Sequence, residues 1–281
     1  MRSIRILLAA ALAASVATGC SDEIREALAP EPTGCYFGTG SEPLHLTSEQ
    51  TFHAATIAAV GHRDGMNERA VAVAIATSFQ ESGLANIDYG DRDSLGLFQQ
   101  RPSVGWGSEE EILDPVYASF KFYEKLRRID GWEDMAIGDA AQEVQISAYP
   151  DEYHKWEDDA FAVAAAFAGG QEAGVRCMVT EDRERSSEAA TLTETYEYEW
   201  GAAVSAVDGQ TVTIEAADAA AGWHRASWAV AKSLEWDFAS VEYAGQVWEP
   251  GDETWSEVDG ETVEAAVTDE STVVITLNGG A

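Results

Sequence analysis

Glu81 closes a run of small and aliphatic residues, Ala70-Val71-Ala72-Val73-Ala74-Ile75-Ala76, and is followed by Ser82-Gly83-Leu84. A run with no polar face predicts a helix over residues 67–82 that is buried on all sides, with Asn67 as its N-cap and Gly83 as the left-handed residue at its exit. A carboxyl group at the C-terminal end of such a helix faces the negative end of the macrodipole, and neighbours such as Phe79 limit its access to water. Both effects disfavour the charged form. A carboxylic acid that keeps its proton near neutral pH can protonate the leaving oxygen of a sugar, and a rise of ~1 to 2 pKa units is enough. Glycosidic cleavage is the chemistry to which this side chain points; an ordinary helix-end glutamate paired with an arginine is the other reading of it.

The residues that follow extend the pattern: Ser94-Leu95-Gly96-Leu97-Phe98-Gln99, then Pro102, with Gln99 placed 18 residues after Glu81. This resembles the signature of the soluble lytic transglycosylase group of the lysozyme-like superfamily, in which a Glu-Ser pair is followed by a Gly-Leu-Met-Gln turn and a nearby proline. The resemblance covers roughly residues 47–168. It implies Glu81 as the acid/base residue, with Ser82, Gly96, Leu97, Phe98 and Gln99 shaping the floor of a glycan cleft. It also implies peptidoglycan strands as substrate, and an anhydro product made by the substrate's own hydroxyl without a cofactor. The group's third motif, Ala-Tyr-Asn, corresponds to Ala148-Tyr149-Pro150, which makes Tyr149 a further contact. Phe98 stands where the group has methionine, and Asp93-Ser94 where it has Gly-Ala. The stretch from Asp88-Tyr89-Gly90 to Gln99-Gln100-Arg101-Pro102 is also similar to a set of actinobacterial secreted proteins. A wall-binding or scaffold lipoprotein that keeps the shape without the catalysis is the alternative.

Other chemistries fit less well. Asp91 and Asp93, which cluster with Asp88, are candidates for a second carboxylate, and the stretch from Asp91 to Gly96 partly resembles the first half of an EF-hand loop, but Leu95 and Pro102 occupy positions where that loop needs ligands. The five histidines, at positions 45, 53, 62, 154 and 224, show no zinc-binding spacing, so no metal is expected. Ser82 lacks a nucleophile elbow.

Arg2 and Arg5 precede a short apolar run over residues 6–14, and the segment ends Ala17-Thr18-Gly19-Cys20. This predicts a lipoprotein signal peptide over residues 1–19 and acylation of Cys20, hence a protein held at the outer face of the cytoplasmic membrane. Cys35 and Cys177 then remain in an oxidising compartment, where one disulfide is expected. With 17 basic and 50 acidic residues the net charge is -33, so nucleic acid is an improbable partner and cationic steering towards an anionic wall is not expected. Contacts with substrate should come from neutral amides, backbone and aromatic rings.

The elements that must position Glu81 are mostly helical. Residues 20–34 read as a tether, residues 35–178 as the lysozyme-like domain, residues 179–192 as a linker, and residues 193–281 as a small α+β domain. Helices are expected from Thr47 or Ser48 to near Gly61, from Asp114-Pro115 along a stripe of Val116, Phe120, Tyr123 and Arg127, and over residues 137–147 and 151–168. In the last region residues 212–214, 241–243 and 273–277 read as strands, residues 221–234 as a helix, and Ala244-Gly245 as a hairpin turn. Its tryptophans, at 200, 223, 228, 236, 248 and 255, either fill the core or stack on sugars. The fold class expected is therefore α+β.

Overall fold

The computed structural model describes residues 33–38, 43–179, 185–252, 254–258 and 270–279. The expected signal peptide, Cys20 and nearly all of the tether lie outside the described residues. Among the described residues no helix is long and apolar enough to cross a membrane.

The fold is α+β, as expected, with two antiparallel sheets. Strands β1 (Gly34–Phe37), β2 (Leu44–Leu46) and β3 (Val175–Met178) form the smaller sheet in the order β2-β1-β3. Cys35 lies directly opposite Cys177 in that sheet and the two are joined by a disulfide. Helix α1 (Ser48–Arg63) starts at Thr47, whose hydroxyl and the Gln50 side chain form a reciprocal capping box, and it runs two residues beyond the Gly61 end expected from sequence. Helix α2 (Glu68–Ser82) is capped by Asn67, which accepts from the Ala70 amide, and ends at Gly83 with φ 69°. Every residue from Ala70 to Phe79 is buried, so the apolar run does form a central helix with no wet face. The Gln50 amide donates to the Gly83 carbonyl over 3.0 Å and ties the start of α1 to the end of α2.

The remaining helices of this region are α3 (Glu109–Ile112), α4 (Pro115–Leu126), α5 (Ile137–Gln145) and α6 (Glu157–Phe167). Two expectations need correction. In α4 the buried face is centred on Ser119, Phe122, Tyr123 and Leu126, which turns Phe120 to an edge where it is 43% exposed. The helix expected over residues 151–168 begins only at Glu157, because Pro150–Trp156 forms a tighter 3-10 helix and Trp156 leaves the α region at φ -98°, ψ 0°.

Helix α7 (Ala189–Trp200) follows, then β4 (Ala206–Asp208), β5 (Thr211–Glu215), α8 (Ala219–Lys232), β6 (Phe238–Tyr243), β7 (Gln246–Trp248), β8 (Ser256–Glu257) and β9 (Thr272–Leu277). These strands make one sheet in the order β4-β5-β9-β6-β7-β8, all antiparallel. Ala244 and Gly245 both have positive φ, 52° and 76°, which suits the tight hairpin between β6 and β7. Composition places a boundary at residues 179–192, but the described residues from Thr33 onward form one compact unit in which α8 packs against β6 and β9 and also against α1.

A buried ionic knot sits where α7 and α8 meet α1. The Lys232 Nζ is 2.8 Å from Glu199 Oε1 and donates to Thr56 Oγ1 over 2.9 Å and to the Phe52 carbonyl over 3.3 Å. Trp228 Nε1 and Thr56 Oγ1 donate to the same carboxylate. Trp200, Trp223, Trp228, Trp236 and Trp248 are all buried, and the half-buried Trp255 donates to the Val175 carbonyl. Core volume is what these indoles supply; with no open ring face, the five buried ones are not sugar platforms.

Candidate functional site

Glu81 occupies the last turn of α2, half-buried, where the helix opens into a cleft of about 850 Å³. Three segments close around it: the loop after α2, the outer face of α4, and the turn after α5. The buried Tyr153 Oη donates to Glu81 Oε1 over 2.5 Å, and the Gln145 amide also hydrogen-bonds this carboxyl. Burial pushes the Glu81 carboxyl above the ordinary carboxylate range, while the hydrogen bonds from Tyr153 and Gln145 pull the other way and leave a net rise. Burial and the neighbouring carboxylate likewise hold the Tyr153 phenol far above its usual range, so it remains a donor.

Tyr153 was not legible in the sequence as a site residue. It reaches Glu81 because the 3-10 helix turns it inward, and Trp156 fixes that helix by stacking on Phe79 at 5.1 Å and donating to Gln80 Oε1 over 3.0 Å. Tyr149, the residue favoured by the motif, instead stands 72% exposed on the cleft rim. Pro150 starts the 3-10 helix between them, and Tyr153 is the tyrosine that reaches the acid.

The other expected site residues divide into lining and scaffold. Gln99 lines the cleft, held by donating to the Tyr89 carbonyl over 3.2 Å and the Gly96 carbonyl over 3.3 Å. Ser82 does not line it; its hydroxyl donates to the Leu97 carbonyl over 2.8 Å and so clamps the turn onto α2. Gly96 has φ 74° and lies so close to the Ile112 carbonyl that a Cβ would sit 2.7 Å from it, so the turn requires glycine there. Leu97 and Phe98 are wholly buried, Phe98 stacking on Phe122 at 4.8 Å. They support the floor from beneath rather than touch a ligand, since both side chains belong to the core; the Phe98 carbonyl orients Gln145 by accepting from its amide over 2.7 Å. Asp91 is exposed on the cleft wall. Asp93 is not part of the lining: it accepts from the Ser103 amide over 2.8 Å and from Arg101 Nε over 2.7 Å, and contacts with Ser103 and Arg101 hold its carboxyl well below the usual range.

The electrostatics of the cleft reverse the character of the whole chain. Arg92, Arg101, Lys121, Lys125 and Arg128 line it against only three carboxylates, Glu81, Asp91 and Glu124, in a protein of net charge -33. The lining is therefore not confined to the neutral amides, backbone and aromatic rings expected of a cleft in so acidic a chain. Three side chains that are exposed despite being large and apolar, Val104, Ile146 and Tyr149, also line this cleft. Ile146 holds the left-handed conformation, φ 56° and ψ 46°, an uncommon state for a β-branched residue, and it presents its side chain on the rim. Among the described residues no three histidine, cysteine, aspartate or glutamate side chains converge as a metal site.

No protein-family model matches the chain, and no curated protein matches it.

Proposed function

We propose that this protein cleaves the glycan strands of peptidoglycan as a muramidase of the lytic transglycosylase type, with Glu81 as its acid/base residue. One observation carries the reading: a carboxyl group whose proton affinity is raised by burial opens into a cleft of about 850 Å³, with an apolar rim and amide side chains beside it. The resemblance of Glu81-Ser82 and Gly96-Leu97-Phe98-Gln99 to that enzyme group supports it independently.

In this scheme the protonated Glu81 gives its proton to the glycosidic oxygen as the bond from the muramyl anomeric carbon breaks. The resulting carboxylate takes a proton from the muramyl ring's own hydroxyl as that oxygen closes on the anomeric carbon, which returns Glu81 to its starting state. Tyr153 holds the carboxyl by donating to Oε1, and Gln145 hydrogen-bonds the same group. Gln99 and Gln145 line the cleft where the N-acetyl groups would lie.

Acylation of Cys20 would keep this activity at the outer membrane face, next to the wall. Incubating the protein with purified sacculi and analysing the soluble products by mass spectrometry tests the reading. Anhydro-muropeptides are expected from the wild type, with a loss of at least about 10³-fold in Glu81→Gln at unchanged thermal stability. Undiminished cleavage by Glu81→Gln would refute the assignment, and sacculi that are bound but never cut would favour the scaffold alternative.

A further inference from the structure

We propose that the α4 wall of the cleft, centred on Lys125, binds the carboxylates carried by the muramyl residue, so that the site selects acid-substituted strands over uncharged N-acetylglucosamine oligomers. The inference rests on the glycan-cleaving reading above and narrows its substrate.

Lys125 carries the argument because its charge is uncommitted. Arg101 is tied to Asp93, Arg92 lies 3.7 Å from Asp91, and Lys121 and Arg128 share the single carboxylate of Glu124. Among the described residues Lys125 has no ion pair; its Nζ stands 4.7 Å over the Trp106 ring, half-buried, on the same cleft wall. Burial also lowers its proton affinity, as expected of a cation without a counter-charge. The triad of Lys121, Glu124 and Arg128 beside it leaves a further net positive charge. An excess of cations in a partly enclosed cleft attracts anions far more selectively than the same charges on an open surface, and here the surrounding surface repels them.

The anion is identified by its attachment. The muramyl ring whose bond would break at Glu81 itself carries a lactyl carboxyl or the acidic peptide built on it, so a strand threaded through the cleft brings carboxylates to its walls without further recognition. The Trp106 face and the Lys125 ammonium together fit a substituent with an apolar stem and an anionic end.

The test uses the full-length Glu81→Gln protein, so that binding is read without turnover. Titration calorimetry compares chitotetraose with a muramyl tetrasaccharide bearing stem peptides, and with the same tetrasaccharide after amidase removal of the stems, each at about 20 mM and about 200 mM salt. Stem-bearing strands should bind about tenfold more tightly than chitotetraose at low salt, and the advantage should shrink at high salt. Retention of that advantage by the stripped strand assigns it to the lactyl carboxyl; its loss assigns it to the peptide. Adding Lys125→Met and Arg128→Gln should remove the preference, bringing the affinity for stem-bearing strands down to that of the same variant for chitotetraose. Equal affinity for charged and uncharged oligomers, or a preference that survives the double substitution, overturns the inference while sparing the glycan reading. Binding of neither oligomer overturns both.

Discussion

Glu81 and Glu199 are both withdrawn from water, yet only Glu199 is given a cation. Glu199 lies in the knot between α1, α7 and α8, with the Lys232 ammonium at 2.8 Å and two neutral donors, Thr56 and Trp228, on its oxygens. Among the described residues Glu81 has a phenol and an amide and no charged partner. Burial in the first case is offset by charge and locks three elements together; in the second it is left uncompensated, and a raised proton affinity is the result. The same side chain thus becomes a structural tie or a carboxyl of raised proton affinity according to what the fold places against it.

Removing the cation from the knot should produce the largest effect. Lys232→Met leaves the Glu199 carboxyl buried with only neutral donors, and the expected loss of stability is about 3 to 5 kcal/mol. Replacing both partners, Lys232→Met with Glu199→Leu, should recover most of it, since the desolvation of two ions disappears together. Denaturant unfolding of the two variants measures the difference. A single variant as stable as the wild type would mean that the knot is not the tie described here.

The corresponding change in the cleft has a smaller effect and a different readout. Tyr153→Phe removes a hydrogen bond that lowers the Glu81 proton affinity, so the carboxyl should hold its proton to higher pH. The alkaline limb of cleavage against pH should move upward, while the maximal rate falls about tenfold because the acid is no longer fixed in place. Turbidity assays on purified sacculi across pH give both quantities. An alkaline limb that stays put would show that Glu81 is not the group being titrated.

The two regions were also unequally legible. Around Glu81 the local signals agree: an unbroken apolar run, an Asn67 cap, a Gly83 exit and a glycine at 96 that the turn demands, so sequence alone places the acid and its supporting turn. Tyr153 escaped because residues 151–156 read as the first turns of an α-helix, and only the packing of Trp156 on Phe79 makes them a 3-10 helix. The basic wall escaped because its side chains come from separate segments and vanish in an average dominated by acidic surface. The knot was hidden for a third reason. Helix α7 contains Thr191, Thr193 and Thr195, weak helix formers, and its one buried acid is indistinguishable in sequence from the exposed glutamates at 194 and 197.

The smallest effect expected concerns two histidines that lie on the core side of the comparison. Burial, helped by Lys232, lowers the His53 pKa to about 4; burial, with His62 and Arg225 nearby, lowers that of His224 to about 3. Glu49 stands 4.0 Å from His53, too exposed to reverse the effect, and the Trp200 ring lies 4.8 Å from that of His224. Both groups bind protons more readily unfolded than folded, so their contribution to stability is complete above the unfolded value near 6.5 and is lost as pH falls towards the folded values. Between about pH 6.5 and 5.5 each should remove about 1 kcal/mol. His224→Asn should flatten that part of the stability profile by one histidine's share, read by denaturant unfolding at each pH. Lys232→Met should ease the suppression at His53 and flatten it slightly further, which ties the acid response of the core to the same cation that Glu81 lacks.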